Sequence, residues 1–169
     1  MVLNNTYIPD VKIICPNIHS DDRGIFFEVM RSQTLGKLFV QVNQSESKKN
    51  VLRGLHYQRK PLETAKLVRC ISGEILDVAA DIRRESKTFG KWISIRLSSE
   101  NKKMIYIPEG FVHGFSVKSD YAIVEYMCTT SFTKSLDDGI AWNDPTLNIN
   151  WELDEEPILS ERDKHQHCL

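Results

Sequence analysis

No apolar run in this chain approaches the roughly 20 residues that a membrane-spanning helix needs. An excess of charge is missing too: 22 Lys and Arg stand against 23 Asp and Glu, for a formal net charge of -1. Without a global basic field, nucleic acid is not an expected partner, although a local basic pocket is compatible with this balance. The opening MVLNNTYIPD lacks the basic-then-apolar order of a secretory signal. The expectation is a cytoplasmic protein without membrane contact. None of the four cysteines (Cys15, Cys70, Cys128, Cys168) forms a CxxC pair. Cys70 and Cys128 fall within strand-like runs, where a free thiol behaves as a small buried apolar group, and this reading is preferred to disulfides or zinc ligands. Internal repeats and low-complexity segments are also absent. The 169 residues suit one domain, residues 1–169, long enough to bury a core.

Convincing helices are few. RSQTLGKL (31–38) suits one short turn, and the tail DEEPILSERDKHQ suits another, with Ser160 as N-cap and Asp163 three residues into it. Short β-branched and aromatic runs dominate instead: VKIIC (11–15), IFFEVM (25–30), LFVQVNQS (38–45), NVLRGLHYQ (50–58), AKLVRCIS (65–72), EILDVAADI (74–82), KWISIRLS (91–98), KKMIYIP (102–108), HGFSVKS (113–119) and YAIVEYMCT (121–129). SGE (72–74) reads as a tight hairpin turn, and RESKTFG and PEG interrupt the pattern. A parallel α/β sheet would need crossover helices for which there is no room. The expected fold is all-β, a double-sheet jelly roll with a ligand site in its mouth.

Alternation then assigns faces. Lys66, Val68 and Cys70 share one face; so do Ala122, Val124, Tyr126 and Cys128, which directs Tyr126 into the barrel. In EILDVAAD the face carrying Leu76, Val78 and Ala80 is apolar. Asp77, Ala79 and Asp81 lie opposite, so alternation by itself predicts a solvated Asp77. His19, His165 and His167 fall in loops or the tail and read as solvated.

IPEGFVHGF (107–115) resembles the second cupin motif, PxGxxH, with His113 as its histidine. The first cupin motif supplies an HxH pair. Here that place reads His56-Tyr57-Gln58, one histidine short, and two histidines are too few for a catalytic metal. Proton transfer is the natural remaining use for them. A neutral imidazole accepts a proton near neutral pH, Tyr126 offers a second proton-transfer group and Lys66 a cation for a developing oxyanion. A carboxylate must orient the histidine; Asp77 and Asp163 are both candidates.

DDRGIFFE, VLRGLHYQ, AKLVRCISGEILDVAADIR, KTFGKWISIRLSSEN, IPEGFVHGF, EYMCT, GIAWNDP and LSERD follow one another in this order. Together, from about residue 7 to residue 164, they resemble the dTDP-4-dehydrorhamnose 3,5-epimerases. The resemblance implies a cupin jelly roll without metal or other cofactor, usually a homodimer. It implies proton exchange beside the 4-keto group of a nucleotide-linked 6-deoxyhexose. It makes His56 the general base, Asp163 its carboxylate, Tyr126 the acid on the other face of the sugar, and Lys66 the group near the 4-keto oxygen. Arg53, Asp77 and His113 become supporting pocket residues. Arg23, Phe26, Glu28, Gln41 and Asn43 become nucleotide contacts. Departures from the family pattern stand at Val42, Thr64 and Phe132, where Asp, Gln and Tyr are usual. They leave open an enzyme acting on one carbon only, or on another nucleotide-linked 4-keto sugar. The competing classes are a metal-dependent cupin and a non-catalytic sugar-binding cupin.

Two further expectations are structural. VKIIC is a candidate to join a partner's sheet and cover its edge. Strict alternation puts Arg53 and His56 on opposite faces, so placing both in one pocket requires a bulge at Gly54.

Overall fold

The computed structural model describes all 169 residues, and thirteen short strands carry the architecture. They are β1 (Val2–Asn5), β2 (Lys12–Cys15), β3 (Ile18–Asp21), β4 (Gly24–Phe27), β5 (Gln41–Lys48), β6 (Leu52–Gln58), β7 (Lys66–Ser72), β8 (Glu74–Asp81), β9 (Trp92–Ser98), β10 (Met104–Ile107), β11 (Phe111–Val117), β12 (Tyr121–Cys128) and β13 (Asp137–Gly139). The two α-helices are single turns, α1 (Ser32–Leu35) and α2 (Glu161–Lys164). No helix is long and apolar enough to cross a membrane. Antiparallel pairing builds a six-stranded sheet in the order β1-β2-β10-β7-β12-β5 and a five-stranded sheet in the order β13-β6-β11-β8-β9. The β3–β4 hairpin stands apart from both. This is the expected all-β jelly roll.

Alternation explains the core between the sheets. Val68 and Cys70 from β7, Ala122 and Val124 from β12, Ile75 and Ala79 from β8, and Phe115 and Val117 from β11 meet in one buried cluster. The reverse face of the five-stranded sheet is not exposed. The chain after β13 folds back over it, so that Val78, Ala80 and Val112 pack under Ile140, Leu147 and Trp151. Trp92 Nε1 donates to the Leu147 carbonyl at 2.9 Å and Trp151 Nε1 to the Trp142 carbonyl at 2.7 Å, which pins that cover.

This cover accounts for one correction. Asp77 is not solvated; it is fully buried. Both faces of β8 are interior, one facing the other sheet and one facing the C-terminal segment. A two-sided burial leaves no solvated face for alternation to select.

Two more expectations fail for topological reasons. SGE is a tight turn, with Gly73 at φ +77°, but not a hairpin. β7 pairs with β10 and β12, whereas β8 pairs with β11 and β9. The turn carries the chain from one sheet to the other. VKIIC, for its part, offers no edge to a partner, because β2 is hydrogen-bonded to β1 on one side and β10 on the other. The strand expected at 38–45 runs instead over β5. Its partner β12 sets those limits, from Gln41 opposite Cys128 to Lys48 opposite Tyr121.

The turn after β8 is organised by Asp81. Its carboxylate accepts from Arg83 N (2.9 Å), Arg83 Nε (2.9 Å) and Nη2 (2.7 Å), Ser86 Oγ (2.6 Å) and Thr88 Oγ1 (2.6 Å). Burial opposes the charge, but these donors together hold the carboxyl well below the usual carboxylate range. A depressed folded-state pKa stabilises the fold above the unfolded value of about 4 and loses that stabilisation as the pH falls below it. Stability should therefore drop as the pH is taken below about 4, and Asp81→Asn should flatten the decline. Urea midpoints between pH 2 and 6 would measure this; parallel curves for the two proteins would refute the assignment.

Candidate active site

Two adjoining cavities of about 510 and 300 Å³ open into the barrel, and His56, Lys66, Tyr126 and Arg162 line both. His56 comes from β6 of the five-stranded sheet. Lys66 and Tyr126 come from β7 and β12 of the six-stranded sheet. The two walls of the barrel thus present an imidazole on one side and a phenol and an ammonium on the other.

The bulge anticipated at Gly54 is present. Along β11, His113 pairs with His56 and Phe115 with Arg53, so β6 holds one more residue than its partner over this interval. The extra residue reverses the alternation, and Arg53 and His56 both line the larger cavity. Gly54 sits at φ +132° with its backbone against Gly114; a Cβ placed there would lie 2.6 Å from Gly114 Cα. Arg53 is braced by Nε donating to Ser47 Oγ (3.0 Å) and Nη2 to the Glu46 carbonyl (3.3 Å).

Each histidine finds its own carboxylate, which the sequence left undecided. His56 Nε2 lies 2.6 Å from Asp163 Oδ1, and His113 Nε2 lies 2.8 Å from Asp77 Oδ2. Asp163 is set by α2, whose N-cap Ser160 accepts from Asp163 N at 3.1 Å, as the SERD pattern suggested. Burial works against charge on Asp163, but His56, Ser160 and the Gly54 backbone hold its pKa below the ordinary value. It is therefore ionised at neutral pH. In the second pair burial dominates, pushing Asp77 up and His113 down, so that pair favours its less charged forms.

The Lys66 ammonium has neither a hydrogen bond nor an ion pair from the fold; its Nζ lies 5.9 Å from the Tyr126 ring centroid. Burial lowers its pKa, while Cys128, Asp77 and Asp137 favour its charge. Burial raises the Tyr126 pKa, which keeps the phenol protonated at neutral pH. Cys128 and Cys70 are buried free thiols, as their strand positions predict.

Gln41 and Asn43 line the smaller cavity together with Thr64 and Phe132, two of the three positions that depart from the family pattern. Arg23, Phe26 and Glu28 do not reach either cavity. They lie on or just after the β3–β4 hairpin, Arg23 paired with Asp21 and Glu28 with Arg31, with Phe26 73% exposed. The β3–β4 hairpin that carries or precedes them is hydrogen-bonded to neither sheet.

Several cavity residues escaped the sequence reading, and three of them bear on the site. Ser45 lines the larger cavity, and its hydroxyl has no hydrogen-bond partner. Alternation along β5 (Gln41, Asn43, Ser45, Ser47) would have found it. Arg162 pairs with Asp137, Nη1 to Oδ2 2.5 Å, at the junction of the two cavities. No sequence signal separates that arginine from an ordinary helix-end cation. Gln58, in the place of the missing metal-motif histidine, spends its amide on the protein: Oε1 accepts from Thr133 N at 2.8 Å.

Comparison with known proteins points to one family. The family model described as dTDP-4-dehydrorhamnose 3,5-epimerase matches residues 5–169. The enzyme of that name from Salmonella typhimurium is 48% identical, the match covering 96% of this chain and 92% of that one. The dTDP-6-deoxy-D-glucose-3,5-epimerase of Legionella pneumophila, solved in complex with dTDP-4-keto-L-rhamnose, superposes with a TM-score of 0.95 at 43% identity, over 99% of this chain and 92% of that one. A 3′-monoepimerase from Streptomyces bikiniensis, solved with dTDP-quinovose, superposes at 0.90 with 33% identity, over 97% and 86%. These matches establish that the chain belongs to the dTDP-4-dehydrorhamnose 3,5-epimerase family.

Proposed function

We propose that the chain inverts C3 and C5 of a dTDP-4-keto-6-deoxyhexose, converting dTDP-4-dehydro-6-deoxy-D-glucose into dTDP-4-dehydro-L-rhamnose. The observation that carries this is the His56–Asp163 pair on one barrel wall with Tyr126 and Lys66 on the other. A hydrogen beside a ketone is weakly acidic, and histidine removes it only if the enolate is stabilised. His56 takes that proton and the electron pair moves onto the 4-keto oxygen, where the Lys66 ammonium meets it. The ionised Asp163 stabilises the imidazolium formed. Tyr126 then gives its proton to the same carbon from the opposite face, which inverts it. Before the second carbon reacts, the His56 imidazolium gives its proton to solvent and the Tyr126 phenolate takes one up; the same two transfers then invert that carbon, and proton transfer of this kind needs no cofactor.

Arg53, His113 and Asp77 shape the sugar end of the cavity in this proposal, while Gln41 and Asn43 face the nucleotide. Arg23, Phe26 and Glu28 would contact nucleotide across a homodimer, carried to a second copy by the exposed hairpin. Exposed Val2, Leu3, Ile18 and Ile25 supply apolar surface for such contact. Light scattering during size exclusion would read the dimer mass. The same proposal treats residues 1–169 as one domain and the enzyme as cytoplasmic.

Proton NMR in heavy water with dTDP-4-keto-6-deoxyglucose tests the reaction. Deuterium should enter at both C3 and C5; no incorporation at either carbon would refute it. A one-carbon enzyme is the second reading, favoured by Phe132 on the wall of the smaller cavity, a ring without the usual hydroxyl. It predicts deuterium at a single carbon. Tyr126→Phe should retain exchange but lose inversion, with product formation down about a hundredfold or more. Equal loss of exchange and inversion would remove Tyr126 from the role of acid.

A further inference from the structure

Gln58 occupies the position where a metal-binding cupin places its second histidine, and its amide is wholly engaged elsewhere. It is 6% exposed. Oε1 accepts from Thr133 N at 2.8 Å. Nε2 donates to the Leu62 carbonyl and lies 3.3 Å from both Thr130 Oγ1 and the Ser131 carbonyl. Every partner belongs to one of two loops, the segment after β6 or the segment after β12.

A second glutamine grips the same loop from the other sheet. Gln41 Oε1 accepts from Phe132 N at 2.7 Å, while its Nε2 donates to Asn43 Oδ1 at 2.8 Å. The consecutive amides of Phe132 and Thr133 are thus held by side chains from β5 and β6, which lie in different sheets. Backbone pairing does not do this work. Among the backbone bonds, Thr129 N reaches the Ala65 carbonyl, and the next donor after it is Leu136 N. The side-chain amides replace the ladder where the strand ends.

The clamped loop is a cavity wall. Thr130 and Phe132 line the 300 Å³ chamber beside Lys66 and Tyr126, and the Phe132 ring is 58% exposed. We infer that Gln58 is a positioning residue for substrate binding: with Gln41 it fixes the loop that holds Phe132 against the smaller cavity. This inference deepens the function proposed above and rests on it. The base lies off this clamp, because His56 is oriented by Asp163 from α2. Loss of the clamp should therefore weaken binding and spare the chemical step.

Gln58→Met keeps much of the side-chain volume and removes both polar ends. Gln58→Glu keeps an acceptor for Thr133 N but sets a second oxygen against the Leu62 and Ser131 carbonyls. Both should raise KM about tenfold, the scale of one or two lost hydrogen bonds, with kcat within about threefold. The Kd for dTDP, measured by calorimetry, should rise in step. A fall in kcat at unchanged KM would overturn the inference, since Gln58 would then act through His56. So would KM and Kd both within about twofold of wild type. Hydrogen exchange separates this inference from the functional proposal. If wild-type protein neither turns over the sugar nor binds dTDP, the functional reading fails by itself. The Phe132 and Thr133 amides should still exchange faster in both variants if the clamp is real, and unchanged exchange would remove it.

Discussion

His56→Ala is expected to lower kcat by about a thousandfold or more, with deuterium uptake at the sugar carbons falling in parallel. The expectation rests on the absence of a substitute. His113, the other histidine of the barrel, is engaged with Asp77 at 2.8 Å, and burial pushes its pKa down, which makes it a weaker base. Lys66 is assigned to the enolate oxygen, with burial lowering its pKa and Cys128, Asp77 and Asp137 favouring its charge, and Tyr126 stays a phenol because burial raises its pKa. Asp163 would remain, but its carboxylate lies at 3% exposure behind the imidazole. Removing His56 leaves that carboxylate without its main side-chain partner. Heavy-water exchange followed by NMR is the direct measurement. Exchange at the wild-type rate in His56→Ala would end the mechanism, whatever the effect on overall turnover.

Gly54→Ala should destabilise the fold by about 4 kcal/mol, combining a disallowed backbone conformation with overpacking. At φ +132° an alanine is strained whatever the space. Space is also lacking, since its Cβ would meet Gly114 Cα at 2.6 Å and the His113 carbonyl oxygen at 3.0 Å. These are backbone atoms of the neighbouring strand β11, so no side-chain rotation relieves them. Relaxation would have to part β6 from β11 at the point where the bulge turns Arg53 and His56 into one cavity. Denaturant unfolding should show a much lower midpoint. Any folded fraction should also have reduced activity, because the bulge at Gly54 is what brings Arg53 and His56 into one cavity. A midpoint shift of less than about 1 kcal/mol would show that the bulge is not held by this contact.

Much of the architecture was legible from residue patterns alone. Ten strand runs, the inward directions of Lys66 and Tyr126 and the Ser160 cap all follow from local periodicity and capping chemistry, and each appears in the fold. Local patterns report well on what local sterics and burial decide. The bulge could be anticipated from Gly54, since a glycine between two polar residues of one strand invites it. The element limits were less legible. β5 takes its ends from β12, and the turn at Gly73 leads to a different sheet, because pairing is chosen by strands distant in sequence.

By itself the sequence determined the repertoire: an all-β chain, a metal motif one histidine short, and the residue types for acid–base work. Only the tertiary structure decided the partnerships. It matched Asp163 to His56 and Asp77 to His113, buried both faces of β8, left Arg23, Phe26 and Glu28 outside the cavities, and turned Gln58 toward two loops. The reason is physical. Alternation tells which side of a strand a residue occupies, but not what covers that side. A carboxylate 107 positions from its histidine is brought within 2.6 Å only by the packing of α2 against the barrel.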